Sequence, residues 1–429
     1  MKTKIPIIIF LITVALTGCK REYLNPNQPT DAEVFSSVDG LTRAIVGLKQ
    51  RYAVNTLAPS VVYQAISASA LSTREAVVLN AGNADLAQVE NGLNNLAPNN
   101  GVITSLWTTA NVVSSEAQKI IDGSQNVTDA NVKNGIRVYG HLYKALALGT
   151  LASFWEQVPI ATGPNAAFVS RTQALQEAVR LLDEASTLLG STTLPASFLS
   201  AVGNEISLPN TLRALAARYY NMLGNNDLAI ARAAAVSATV RSEFFYNNVN
   251  PNPVFRSSLV NNNTYGVRAN FGLTGALAPN AADQRITFYL TLNAQNGSGF
   301  FRSDANAIPI YTPGEMLLIQ AEAHARKDQL TQAVGFLNQV LTKTPAADLY
   351  GVGAGLTAYS GALTRNDLLL EIYRNRCIEL YFSGMKLEDS RRFGRPGPGA
   401  TGSERSRNFY PYPQQERDGN SNTPPDPAG

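Results

Sequence analysis

Four charged side chains toward the C-terminal end are spaced in a way that could support chemistry. Arg376 and Glu379 stand three residues apart, and Asp389 and Arg392 repeat that interval. Two carboxylates flanking one sugar bond are what glycoside hydrolysis requires. The neighbouring arginines argue against that use, because a guanidinium favours the charged form of a carboxylate beside it. An acid catalyst must instead keep its proton near neutral pH. Residues three apart on a helix are neighbours, so Arg376 can pair with Glu379, and Asp389 with Arg392. The spacing therefore predicts a structural ion-pair network and no catalytic residues.

Other chemistry has less support. His141 and His324 are the only histidines, and both fall inside helical patterns. They read as packing residues, so neither a metal nor a cofactor is expected. No glycine-rich phosphate loop or nucleophile elbow occurs. Cys377, between Arg376 and Ile378 in a helical pattern, reads as buried packing.

Side chains suited to binding lie in the irregular segments. The stretch 91–100, NGLNNLAPNN, holds five asparagines, and 261–271 adds four more together with Tyr265, Arg268 and Phe271. Amides offer both donors and acceptors to hydroxyls or peptide groups. Aromatic faces can stack on a ligand, and a guanidinium can grip a carboxylate or bridge hydroxyls. These observations mark Tyr265, Arg268 and Phe271, helped by Asn95 and Asn100, as the candidate ligand-binding set. The competing reading is turn formation, since Asn tolerates left-handed backbone.

Helices must position these groups. Apolar residues recur at helical spacing over 38–52, 105–121, 132–155 and 172–189, as with Leu41, Ile45 and Leu48 in the first. The segment 212–240 and a second one 104 residues later share positions: Ala217 with Ala321, Tyr220 with His324, Gly224 with Asp328, and Ala233 with Leu337. The pattern resembles tetratricopeptide repeats, in which small residues let two antiparallel helices approach. Between the copies, about 247–306, the sequence is rich in Asn, Gly, Pro and aromatics, with a strand expected over 285–292. The resulting fold class is mainly α, a tetratricopeptide-like scaffold with long irregular loops.

The N-terminus sets the expected compartment. Lys2 and Lys4 precede an apolar run over 5–16, which is too short for a permanent membrane helix. It reads as a removable signal. Leu16-Thr17-Gly18-Cys19 looks like the lipobox of bacterial lipoproteins, which makes Cys19 the expected lipid attachment site and the protein membrane-anchored. The organisation expected is a signal peptide over 1–18 and a lipidated polar tether over 19–37. A helical domain over 38–416 and a flexible tail over 417–429 follow. With 35 basic and 32 acidic residues and no basic stripe, nucleic-acid binding has no electrostatic support.

The stretch 368–394 resembles the SusD/RagB family of nutrient-binding lipoproteins. Arg376, Ile378-Glu379-Leu380, Gly384, Asp389 and Arg391-Arg392 fit its pattern, while Ser383 and Lys386 depart from it. Leu71 to Glu75, Trp107 with Asn111, Ser153-Phe154-Trp155, and Tyr410-Pro411-Tyr412-Pro413 with Glu416 are also similar to the family. The resemblance implies an outer-membrane lipoprotein that binds glycans or oligopeptides and delivers them to a TonB-dependent transporter, without enzymatic activity. Starch-binding members carry a tryptophan where this chain has Asn95 or Pro98, which argues against starch. Surface-exported members carry several acids after the cysteine. Here Lys20-Arg21-Glu22 supplies one, so surface and periplasmic exposure both stay open. The rival readings are a periplasmic tetratricopeptide-like scaffold that docks partner proteins and, third, a glycosidase.

Overall fold

Side-chain caps define where the helices begin. In the computed structural model, which describes residues 30–54, 59–256, 264–290 and 299–429, Thr30 forms a capping box on α1 (Asp31–Val34), and Ser37 caps α2 (Val38–Ala53). Ser60 caps α3 (Val61–Ser72), which leads through β1 (Ala76–Val78) to α4 (Ala84–Asn91). Asn100 and Asp129 cap the two longest helices, α5 (Gly101–Gly123) and α6 (Ala130–Phe154). Each cap accepts, through a hydroxyl, amide or carboxylate oxygen, from backbone N–H groups that the first helical turn leaves without partners. The hairpin of β2 (Gln157–Pro159) and β3 (Phe168–Ser170) then feeds α7 (Arg171–Gly190), whose capping box is Ser170 with Gln173.

The helices stack in antiparallel layers. α2 and α3 lie on α5, α5 on α6, and α6 on α7. Leu41, Ile45 and Leu48 are buried as the periodicity predicts, and so are Leu142, Leu146 and Leu148 of α6. Burying each such side chain stabilises by roughly 1.5–3 kcal/mol. A short α8 (Ala196–Val202) precedes α9 (Leu208–Met222), which packs on α7. α9 also approaches α6 closely. A methyl group added at Gly149 would sit 2.2 Å from the Tyr219 hydroxyl, so only glycine permits this spacing.

The internal repeat is real in three dimensions. α9 and α10 (Asn226–Ala234) form one helical hairpin. α12 (Pro313–Arg326) and α13 (Leu330–Thr342) form the other, after β4 (Glu243–Phe244), β5 (Tyr265–Val267), α11 (Arg285–Leu290) and β6 (Ile308–Pro309). Both hairpins turn through a left-handed residue 104 positions apart, Gly224 and Asp328. The following amides bond alike, Asn225 to the Tyr220 carbonyl and Gln329 to that of His324, both at 2.9 Å. That six-residue closure is a Schellman-type helix end. α14 (Arg365–Glu379) packs on the second hairpin, burying Leu318, Leu337, Leu368 and Ile372 together. α15 (Lys386–Arg392) and α16 (Gln414–Gly419) complete the described helices.

Two local expectations are corrected. Residues 285–290 are helical rather than extended, while 291–292 lie outside the described residues. The Asp283 carboxylate accepts from the Arg285 amide and guanidinium, at 3.0 Å each, and starts a turn that overrides the β-propensity of Ile286 to Tyr289. The tail over 417–429 is held rather than free. Asp426 accepts from the Tyr412 amide at 2.7 Å, and Arg407 donates to the Pro427 carbonyl at 3.0 Å. The tether expected over 19–37 already contains α1, and Cys19 and the signal segment lie outside the described residues.

Candidate functional site

The charged motif forms a buried network with pairings that its spacing did not predict. Arg376 grips Asp389 through two nitrogens at 2.8 and 2.9 Å, rather than pairing with Glu379. Glu379 is held by Arg285 at 3.0 Å and Lys343 at 2.9 Å. Only the pairing of Asp389 with Arg392, at 2.7 Å, follows the expected interval. Arg392 also forks onto Glu322 at 2.8 and 2.9 Å. Burial alone would raise the Glu322 carboxyl, but Arg392, Arg376 and Arg326 outweigh it and hold the group below the ordinary carboxylate value. The network pins α12, α14 and α15 to one another.

The candidate binding side chains are mostly structural. Tyr265 and Phe271 are 1% and 0% exposed, so neither presents a face to a ligand. The Tyr265 hydroxyl bonds Ser67 Oγ at 2.9 Å, and the Phe271 ring meets the edges of Tyr381 and Tyr289. Their loop is drawn inward because β5 pairs with β1, in register Ala76 with Val267 through Val78 with Tyr265. Arg268 secures that pairing, donating to the Ala76 carbonyl at 3.0 Å and to Glu90 at 2.5 Å. Asn100 is buried as the α5 cap, its amide donating to the Asp85 carbonyl and Gln88. Of the five, Asn95 alone is exposed. The Asn-rich segment reaches it through α4 and a single 3-10 turn, Leu93–Asn95.

The same strand pairing nevertheless gathers three turns into one surface. Ser406 bridges two of them, donating its amide to the Ser72 carbonyl at 2.8 Å and accepting from the Leu93 amide at 3.0 Å. The third, 269–272, closes so tightly on the first that a methyl group at Gly272 would lie 1.9 Å from the Arg74 carbonyl oxygen. Backbone strain concentrates here. Among the described residues, seven non-glycine positions have positive φ, and Arg74, Leu93, Asn270, Phe271 and Phe382 all belong to this region. Phe382 sits directly behind it, its amide 3.4 Å from Glu75 Oε1. Left-handed backbone costs a side-chain-bearing residue on the order of 1 kcal/mol, and such strain clusters where surrounding structure enforces it, often at ligand sites.

What this surface offers is chemically specific. Arg74 is exposed, and among the described residues its guanidinium has neither a hydrogen bond nor an ion pair. Asn94, Asn95 and Asn270 are exposed around it, with apolar area from Leu93 and from Leu79, which is 51% exposed. A free guanidinium, amides and small apolar patches can hold hydroxyl-rich or amide-rich ligands. Sequence reasoning placed Asn95 here but missed Arg74, Leu93 and Asn270. Leu71 to Glu75 stood out only as a stretch similar to the family, and nothing in the residue types announces a left-handed arginine.

The remaining reactive groups are sequestered. Burial pushes the Cys377 thiol up to about 12 and His141 down to about 4. His324 bonds Gln329 at 2.6 Å and stacks on Phe336. Among the described residues, no cluster of His, Cys, Asp and Glu could hold a metal ion, and no helix is long and apolar enough to cross a membrane.

The SusD family model matches residues 235–428, the part that carries the second hairpin and the charged network. No curated protein matches the sequence. Solved structures share the fold across nearly the whole chain. A SusD-like carbohydrate-binding protein from Bacteroides fragilis superposes with a TM-score of 0.68 at 14% identity, covering 91% of this chain and 99% of its own. A SusD-like carbohydrate-binding protein from Bacteroides vulgatus gives 0.68 at 16% identity, with 90% and 97% covered. NanU of B. fragilis gives 0.66 at 13%, with 94% and 99% covered. The family model thus relates residues 235–428 to the SusD family, and the fold of SusD-like structures extends over nearly the whole chain.

Proposed function

We propose that this protein is a lipid-anchored outer-membrane lipoprotein that captures nutrient glycans on the strained face around Arg74 and delivers them to a TonB-dependent transporter. The observation that carries the capture step is the unpaired, exposed Arg74 guanidinium, fixed in left-handed backbone among exposed asparagines on a rigid helical scaffold. Two structures of the same fold are described as SusD-like carbohydrate-binding proteins, which favours glycans over oligopeptides as the ligand. The sequence around Cys19 supports the anchor.

Arrayed plant and host glycans, followed by calorimetry on each hit, test the capture step. Arg74→Ala should weaken binding about tenfold or more while the protein melts as the wild type does. A variant that binds as tightly as wild type would move the site elsewhere. Delivery is tested by pulling the protein from detergent-solubilised outer membranes of its native strain. A large barrel protein should come with it, and recovery alone under every mild condition would count against the transporter. The helical hairpins give a second reading some support, that of a periplasmic scaffold for partner proteins. Protease treatment of intact cells separates the two, since a periplasmic scaffold would be protected.

A further inference from the structure

Two exposed amides of the capture face hang from a turn whose backbone is strained. Gly92 and Leu93 both lie in left-handed backbone, at φ 59° and 48°. For Leu93 that region is unfavourable, because its Cβ crowds the following carbonyl oxygen. The 3-10 turn that begins there, Leu93–Asn95, presents Asn94 and Asn95 to solvent.

The restraint on Leu93 comes from the far end of the chain. Its amide donates to the Ser406 carbonyl at 3.0 Å, and its carbonyl accepts from Arg407 Nη1 at 2.6 Å. Two consecutive residues thus hold both main-chain polar groups of the strained position. Ser406 also donates to the Ser72 carbonyl at 2.8 Å, two residues before Arg74. The approach is close, since a methyl group at Gly92 would lie 2.3 Å from the Ser406 carbonyl oxygen. Residues 406 and 407 therefore set the distance between the amide turn and the Arg74 turn.

Arg407 is 4% exposed, and its three nitrogens each meet a main-chain carbonyl. Nε donates to Phe409 at 3.0 Å, Nη1 to Leu93, and Nη2 to Pro427 at 3.0 Å. Arg218, Arg376 and Arg392 hold carboxylates instead. Asp426 attracts the Arg407 charge from a distance but is itself paired with Arg417. A buried charge is costly unless its donors are satisfied, and here the backbone does this in a fork that lysine cannot reproduce. The tail that Arg407 holds packs on the same turn. A methyl group at Gly429 would lie 2.9 Å from Asn94 Oδ1.

We propose that Arg407 is a positioning residue for glycan capture, holding Asn94 and Asn95 at the spacing from Arg74 that the ligand spans. The proposal rests on the reading of the Arg74 face as the capture site. Arg407 itself touches no ligand and acts through the two amides alone.

The test uses the mature protein, a printed array of plant and host oligosaccharides, and calorimetric titration of the strongest wild-type binder. Arg407→Met should weaken binding about tenfold at temperatures where melting shows the variant folded. Asn94→Ala with Asn95→Ala, at exposed positions, should weaken it by a similar factor. Adding Arg407→Met to that pair should cost nothing further, while adding it to Arg74→Ala should cost its full factor again. A merely structural role would lower the melting temperature and leave the affinity of the folded protein unchanged. Should Arg407→Met not fold, Arg407→Lys takes its place. It keeps the charge, but one ammonium cannot reach three separate carbonyls, so the same pattern should appear with a smaller factor. Wild-type affinity in the folded variant, with Arg74→Ala weakened, overturns this proposal alone. So does a loss that adds in full to that of the amide pair. A wild type that binds no arrayed glycan, or an Arg74→Ala variant that binds normally, overturns the capture face and this proposal together.

Discussion

The protein uses arginine in two opposite ways. Around α12, α14 and α15, Arg376 and Arg392 are buried and each holds carboxylates through paired nitrogens. At the head of β1, Arg74 is exposed, strained and without a side-chain partner among the described residues. The first arrangement commits both guanidiniums to carboxylates of the fold. The second leaves its guanidinium available at the surface, on backbone that the surrounding turns force into an unfavourable region. Residue type is the same in both places. Burial and partnering separate a structural arginine from one that can bind.

The sharpest way to break the contrast is at the buried network. Arg376→Ala leaves Arg392 as the one guanidinium on the buried Asp389 carboxylate and should destabilise the protein by about 3 kcal/mol, read by denaturant unfolding. A loss below about 1 kcal/mol would mean that the network is not what holds α14 to α15. Phe271→Ala removes a fully buried ring behind the capture face and should cost about 3–5 kcal/mol as well. Weakened glycan binding with unchanged melting would instead restore Phe271 as a ligand contact.

Glu75 lies between the two regions and gives a smaller, pH-dependent effect. It is buried, with Oε2 unpartnered, one residue from Arg74. Burial raises its carboxyl from 4.5 to about 7, against the pull of Lys386. The folded state therefore keeps a proton that the unfolded chain releases from about pH 4.5 upward. Stability from this group is greatest below pH 4.5, falls as pH rises toward 7, and is flat above. The full change is on the order of 3 kcal/mol. Glu75→Gln should remove that slope, so its melting temperature should gain on the wild type between pH 5 and pH 8. Parallel melting curves across that range would show that the carboxyl is not perturbed.

The smallest stability effect belongs to Arg74. Arg74→Gly relieves left-handed strain but adds freedom to the unfolded chain, so stability should move by less than about 1 kcal/mol. Glycan affinity should still fall about tenfold or more. A large stability change here would make Arg74 a structural residue like Arg376 and erase the distinction.

Much of the fold was legible because helical periodicity and caps are local. Leu41, Ile45 and Leu48, or the 104-residue offset that places Gly224 and Asp328 in matching turns, need only neighbouring residues to declare themselves. The network partners were not legible. Arg285 meets Glu379 across 94 residues of sequence, and Arg392 meets Glu322 across 70, so spacing along one helix suggested nearer partners than the fold supplied. The site divided in the same way. Residue types showed that the Asn-rich and aromatic loops could bind, and Asn95 is indeed exposed. Only the pairing of β1 with β5 decided that Tyr265 and Phe271 turn inward while Arg74, from a segment nearly two hundred residues earlier, is left facing solvent. Sequence fixes what a side chain can do. Its burial and partners depend on strands and turns that meet only when the chain closes, because contacts between distant segments, not local preference, decide which groups lose water.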